Sequence, residues 1–96
     1  MMKKFPFADD PRTACFTCCH VLEENKPILY VSHDEDGYWQ FLCGKEHSQE
    51  EARIVSLATI LSIDESVANL ANLDYGTYAV SKSPTSNWII KGNIFN

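Results

Sequence analysis

The sequence predicts an α+β domain: an antiparallel sheet of four to five strands, built as a meander plus a C-terminal hairpin, with one or two helices packed mainly on one face. Three observations carry this. In residues 28–43, two runs rich in β-branched and aromatic residues flank Asp34-Glu-Asp-Gly37, the signature of a β-hairpin. In residues 54–73 the apolar positions follow a helical period, with Ile54, Val55, Ala58 and Leu61 on one face and Ile63, Val67, Leu70 and Ala71 on another. After Gly76 the pattern returns to strands. Strands, then helices, then strands is the order expected of an α+β fold.

Ninety-six residues make a single domain, 1–96, whose chain can bury roughly 60–65% of its unfolded surface around one core. No apolar run is long enough to span a bilayer. The start is basic, but Asp9 and Asp10 interrupt before an apolar signal region forms, so a cytoplasmic location with reduced cysteines is expected.

In chain order, residues 1–13 hold Pro6, Pro11 and no periodicity, and read as a loosely ordered arm pinned by Phe5 and Phe7. Residues 16–22 suit a first strand. Glu23-Glu-Asn-Lys-Pro27 reads as a turn, since Pro27 cannot donate and restricts Lys26. Strands near 28–33 and 38–43 complete a meander. A two-residue or a four-residue turn both place Ile28, Tyr30, Ser32, Trp39, Phe41 and Cys43 on one face. The large rings of Trp39 and Phe41 make that the expected core face. Ser48-Gln-Glu-Glu51 is a capping box that predicts a helix start. From there two courses remain open: a buried helix reaching Leu61, or a short strand at Ile54 and Val55 followed by helix from Ser56. Asp64 caps a second helix, and Gly76 closes it in the left-handed conformation. Residues 77–82 and 88–91 are strands, and 92–96 a frayed tail.

The sharpest chemical motif is Cys15-x-x-Cys18 with Cys43-x-x-x-His47, a donor set suited to tetrahedral zinc, with Cys19 and His20 as spare ligands. The meander opposes it. Cys18 would begin the first strand and Cys43 end the third, roughly 16 Å apart at ~3.3 Å per residue. On that reading the thiols are small buried core groups and no cofactor is expected. Other chemistries find less. No βαβ pattern surrounds Cys15-Phe-Thr-Cys18, so a thioredoxin-like redox pair lacks its setting. A Cys–His nucleophile has no local signature. Asp34-Glu-Asp-Gly37 aligned as a calcium loop puts Cys43 where a bidentate glutamate is required. Trp39 and Trp88 could form a ligand platform, but such rings usually fill cores.

Net charge is −5 and unevenly spread: residues 23–51 hold eight carboxylates against Lys26 and Lys45. That surface repels phosphate backbones, which argues against nucleic acid as a partner. It reads either as a solvated face that keeps the protein in solution or as a surface for a basic protein, with Asp34, Glu35, Asp36, Glu46, Glu50 and Glu51 as the expected contacts.

The landmarks Asp36-Gly37-x-Trp39-x-Phe41-x-x-Gly44-x-Glu46, followed by Leu73, Gly76, Tyr78 and Trp88, add a resemblance over residues 28–90. The chain resembles a small bacterial domain family also classed as an immunity-protein domain of polymorphic toxin systems. Here Tyr38 is an extra residue, and the Cys15–His20 segment lies outside the pattern. The resemblance implies a non-enzymatic protein that binds and neutralises a cognate toxin, and it transfers no catalytic residues. The expected function is therefore protein binding, with a zinc-stabilised module (Cys15, Cys18, Cys43, His47) and a small ligand-binding or enzymatic domain as alternatives.

Overall fold

A computed structural model describes residues 5–45, 49–83 and 85–92. The chain is α+β, with a six-stranded mixed sheet in the order β4-β1-β3-β2-β5-β6. The elements in sequence are β1 (Ala14–Cys18), α1 (Cys19–Glu23), β2 (Tyr30–His33), β3 (Trp39–Leu42), a 3-10 turn (Gln49–Glu51), β4 (Ala52–Ser56), α2 (Leu57–Ile63), a 3-10 helix (Glu65–Leu70), β5 (Thr77–Val80) and β6 (Ile89–Lys91).

The central hairpin forms where the sequence places it, but with a different parity. Tyr30 pairs with Leu42, Val31 with Phe41, and His33 with Trp39. The Asp34 N–H donates to the Tyr38 carbonyl, leaving a three-residue loop, Glu35 to Gly37. Gly37 takes φ 95°, which an L side chain resists. An odd loop shifts every facing relation by one residue relative to the two- and four-residue alternatives. The face carrying Trp39 and Phe41 is the core face as expected. Its partners from β2 are Val31 and His33, not Tyr30 and Ser32.

The expected meander is corrected more deeply at β1. That strand ends at Cys18, and residues 19–23 turn into α1 instead of continuing as strand. β1 does not pair with β2. It lies parallel to β3, with Phe16 opposite Gln40, and antiparallel to β4, with Cys18 opposite Ala52. The sheet therefore has six strands and one parallel pair. The expected antiparallel order holds for four of the five strand pairs and fails where β1 lies beside β3, and the count exceeds the expected four to five because residues 52–56 add a strand.

Ser48 of the expected capping box lies outside the described residues. Of the two courses then open, the strand is the one adopted. Ala52–Ser56 is β4, and Ser56 caps α2 by accepting from the Thr59 N–H at 3.1 Å. Asp64 caps as expected, accepting from the Ser66 N–H at 2.9 Å, although the segment it starts is 3-10 instead of α-helical.

Strand alternation gives the sheet two unlike faces. Cys15, Thr17, Val31, His33, Trp39, Phe41 and Ala79 point to one side and are all buried. There they join Val21 of α1, Leu57 and Ile60 of α2, and Val67 and Leu70 in one core. Phe7 closes it, meeting the Trp39 ring edge-on at 5.0 Å, a contact worth about 0.5–1.5 kcal/mol beyond its area. Thr17 bonds across the β1–β3 pair, its hydroxyl donating to the Phe41 carbonyl at 2.6 Å. The Pro11 and Thr13 carbonyls accept from the N–H groups of Ala58 and Leu57, which ties the segment before β1 to the start of α2.

Candidate functional site

The course of β1 decides what meets at one end of the sheet. Because β1 and β3 run parallel with Phe16 beside Gln40, the residues that follow, Cys18 and Cys43, emerge at the same end. The expected separation of about five residues disappears with the shortened strand. Cys18 is fully buried and Cys43 nearly so. α1 then carries His20 over the pair. The Cys18 Sγ, a ring nitrogen of His20 and the Cys43 Sγ all lie within 4.8 Å of one another. The Cys43 Sγ stands 3.8 Å from His20 Nδ1. On the other side of the ring, Nε2 faces the Glu51 carboxylate at 3.1 Å. Glu51 is there because Cys18 pairs with Ala52, so the residue before β4 sits beside the residues after β1.

The chain closes tightly around this cluster. Asn25 takes the left-handed conformation, φ 56°, which asparagine tolerates better than most residues. The turn returns the Lys26 N–H to the His20 carbonyl at 3.0 Å. Gly44, at φ 90°, turns the chain after Cys43. Burial pushes the Cys43 thiol above its ordinary value, while the Lys45 backbone N–H directed at the sulfur acts in the opposite sense. A cavity of about 350 Å³ opens beside the cluster, lined by His20 and Cys43 together with Lys26, Pro27, Leu29 and Lys45.

The sequence-predicted site residues separate. Cys15 is not with Cys18: three residues up the strand it is about 10 Å away. It faces the core, where burial pushes its thiol to about 12. His20, expected only as a spare ligand, takes its place. Cys19 is half-buried and belongs to a second cluster with His20 and Glu24. His47 and Glu46 lie outside the described residues. The expected acidic contacts fall at two places in the fold. Asp34, Glu35 and Asp36 occupy the loop between β2 and β3, whereas Glu50 and Glu51 lie at the opposite end of the strands, beside the cysteines. Asp34 is further engaged, accepting from Gln40 Nε2 at 2.9 Å and from the Ser32 hydroxyl at 3.2 Å.

The second face of the sheet was not singled out by sequence reasoning, because its membership depends on hairpin parity and on β1. Strand register places Ile54, Phe16, Gln40, Leu42, Tyr30, Tyr78 and Ile89 on it. These seven side chains are half-buried or exposed, whereas Ser32 and Cys18, which share the face, are buried. Phe16 meets Tyr38 at 5.8 Å and Tyr30 stacks on Tyr78 at 5.6 Å. Ile54 is 68% exposed and Tyr38 52%.

No family model, curated protein or solved structure matches the chain. No helix among the described residues is long and apolar enough to cross a membrane.

Proposed function

We propose that this chain is a non-enzymatic protein-binding domain that docks its partner on the second face of the sheet. The observation that carries this is the chemistry of that face. The water-facing side of an antiparallel sheet ordinarily alternates to polar residues. Here Ile54, Phe16, Leu42, Tyr30, Tyr78 and Ile89, with Gln40 and Ser32 among them, put an apolar or aromatic group on each of six strands, which span roughly 24 Å at ~4.8 Å per strand. A band of this kind marks an interaction site when it is contiguous, and tyrosines suit it because each ring offers area plus a hydroxyl. Glu35 and Asp36 beside Tyr38 supply an acidic rim at one end. A partner with an apolar centre and a basic edge fits this combination. The resemblance over residues 28–90 points to a toxin as such a partner.

Photo-crosslinking tests the surface. A benzophenone amino acid is placed at Ile54, at Tyr38 and, as a control, at Ile63, which is exposed at the end of α2. Irradiation in an extract of the source cells is expected to join a discrete protein to the first two positions, competed by unlabelled chain. Capture at Ile63 alone would place the binding surface on the helical side and sink this proposal.

A further inference from the structure

The cluster at the ends of β1 and β3 is independent of the docking face and has its own chemistry. We propose that it is a zinc site in which Cys18 Sγ, His20 Nδ1 and Cys43 Sγ are protein ligands and the Glu51 carboxylate holds the histidine from behind. Two sulfurs and an imidazole nitrogen are a donor set zinc favours. Their spacing fits as well. With metal–sulfur bonds near ~2.3 Å and a metal–nitrogen bond near ~2.0 Å, the edges of a zinc tetrahedron measure roughly 3.5–3.8 Å. The Cys43 Sγ to His20 Nδ1 distance of 3.8 Å exceeds the sulfur–nitrogen edge by only ~0.3 Å, and Cys18 completes a triangle whose sides do not exceed 4.8 Å.

Two further features aim the donors. His20 Nε2 faces Glu51 at 3.1 Å, and a carboxylate there accepts the Nε2 proton. That fixes the tautomer whose Nδ1 lone pair points to the sulfurs, the arrangement by which outer carboxylates orient histidine ligands. At Cys43, the turn at Gly44 directs the Lys45 N–H at the sulfur and so fixes where the sulfur sits. Two thiolates and a neutral imidazole cancel the charge of Zn²⁺, which suits a buried setting. The cavity lined by His20 and Cys43 gives the ion a way in. A metal here would tie together β1, α1 and β3 at a point where only short elements meet.

The same residues could instead be read as nucleophile, base and orienting carboxylate: Cys43, His20 and Glu51. Cys18 crowds the sulfur a substrate would have to reach, and that reading leaves the second thiol without a role. The zinc reading uses all four residues.

The test is zinc binding to the full chain in reductant, by competition with a chromophoric chelator, together with the absorption of the cobalt-substituted protein. One metal per chain is expected, with sulfur-to-cobalt charge-transfer bands from two thiolates. Cys18→Ser, Cys43→Ser and His20→Gln should each weaken zinc at least ~100-fold, whereas Cys15→Ala and Cys19→Ser should change it no more than about threefold. The cobalt spectrum of the unaltered chain keeps the test sound if a variant fails to fold. Cobalt binding without thiolate bands would overturn the site. So would a loss on Cys19→Ser that exceeds the loss on Cys18→Ser, which would move the metal to the Cys19, His20 and Glu24 group.

Discussion

Cys15→Ala should lower stability at neutral pH, and the deficit should vanish as the pH rises. The Cys15 side chain is fully buried in the core, and burial moves its thiol from 9.0 to about 12. A thiol whose folded value is raised keeps its full stabilisation below the unfolded value. It loses that stabilisation as pH climbs from 9 towards 12, because the unfolded chain ionises first. At pH 10 the unfolded thiol is about ten-elevenths ionised and the folded one almost wholly protonated, a loss of about 1.4 kcal/mol. Alanine cannot ionise but gives up the packing of one sulfur, roughly 1 kcal/mol. The wild-type chain should therefore lead the variant by about 1 kcal/mol at pH 7.5 and lose that lead by pH 10. Urea denaturation followed by tryptophan fluorescence, in reductant and at fixed metal content, measures the gap at each pH. Every other titrating group cancels in the difference. An unchanged gap between the two pH values would refute the claim that this thiol is desolvated. A variant that loses its metal would return Cys15 to the ligand set.

Three other changes address separate contacts. Glu51→Gln should weaken zinc about 10–100-fold while shifting the metal-free melting temperature little, since a partly exposed ion pair contributes only ~0–1 kcal/mol; equal affinity in a competition titration would show that the carboxylate does not orient His20. Thr17→Val keeps the shape but removes the 2.6 Å bond to the Phe41 carbonyl, and chemical denaturation should register a loss of about 1 kcal/mol. A neutral outcome would mean that the β1–β3 pair does not depend on that bridge. At Gly37 an added Cβ meets nothing closer than the Tyr75 ring at 3.9 Å, so Gly37→Ala should cost about 1–2 kcal/mol through its φ of 95° alone. Calorimetry showing no destabilisation would argue for a different hairpin loop.

Local chemistry made some of this fold legible in the sequence and left the rest hidden. Residues 28–43 announce a hairpin because β-branched and aromatic runs and a glycine turn are short-range signals. Its facing was misread because a loop of two, three or four residues suits the same Asp34 to Gly37 stretch, and only the three-residue loop reverses the parity. The end of β1 carried almost no signal. Cys19–Glu23 is a single turn, and its N-cap, Cys18, makes no side-chain capping bond. Its pairing with β3 and β4 joins residues more than twenty positions apart, which no periodicity reports. That one misplacement set Cys18 and Cys43 at opposite ends of the sheet. It also favoured Cys15, by the familiar Cys-x-x-Cys spacing, over His20. Glu51 was visible as a helix cap and as surface charge. Its position behind the histidine depends on the Cys18 to Ala52 register.

The parallel course of β1 beside β3 underlies both the proposed docking face and the proposed metal site, since it sets Phe16 next to Gln40 and Cys18 next to Cys43. X-ray absorption at the zinc edge of the loaded, untagged chain reads that juxtaposition most directly. Two sulfurs near ~2.3 Å with imidazole scattering near ~2.0 Å are predicted. A shell of nitrogen and oxygen alone, or one of four sulfurs that would need Cys15 and Cys19, would contradict it.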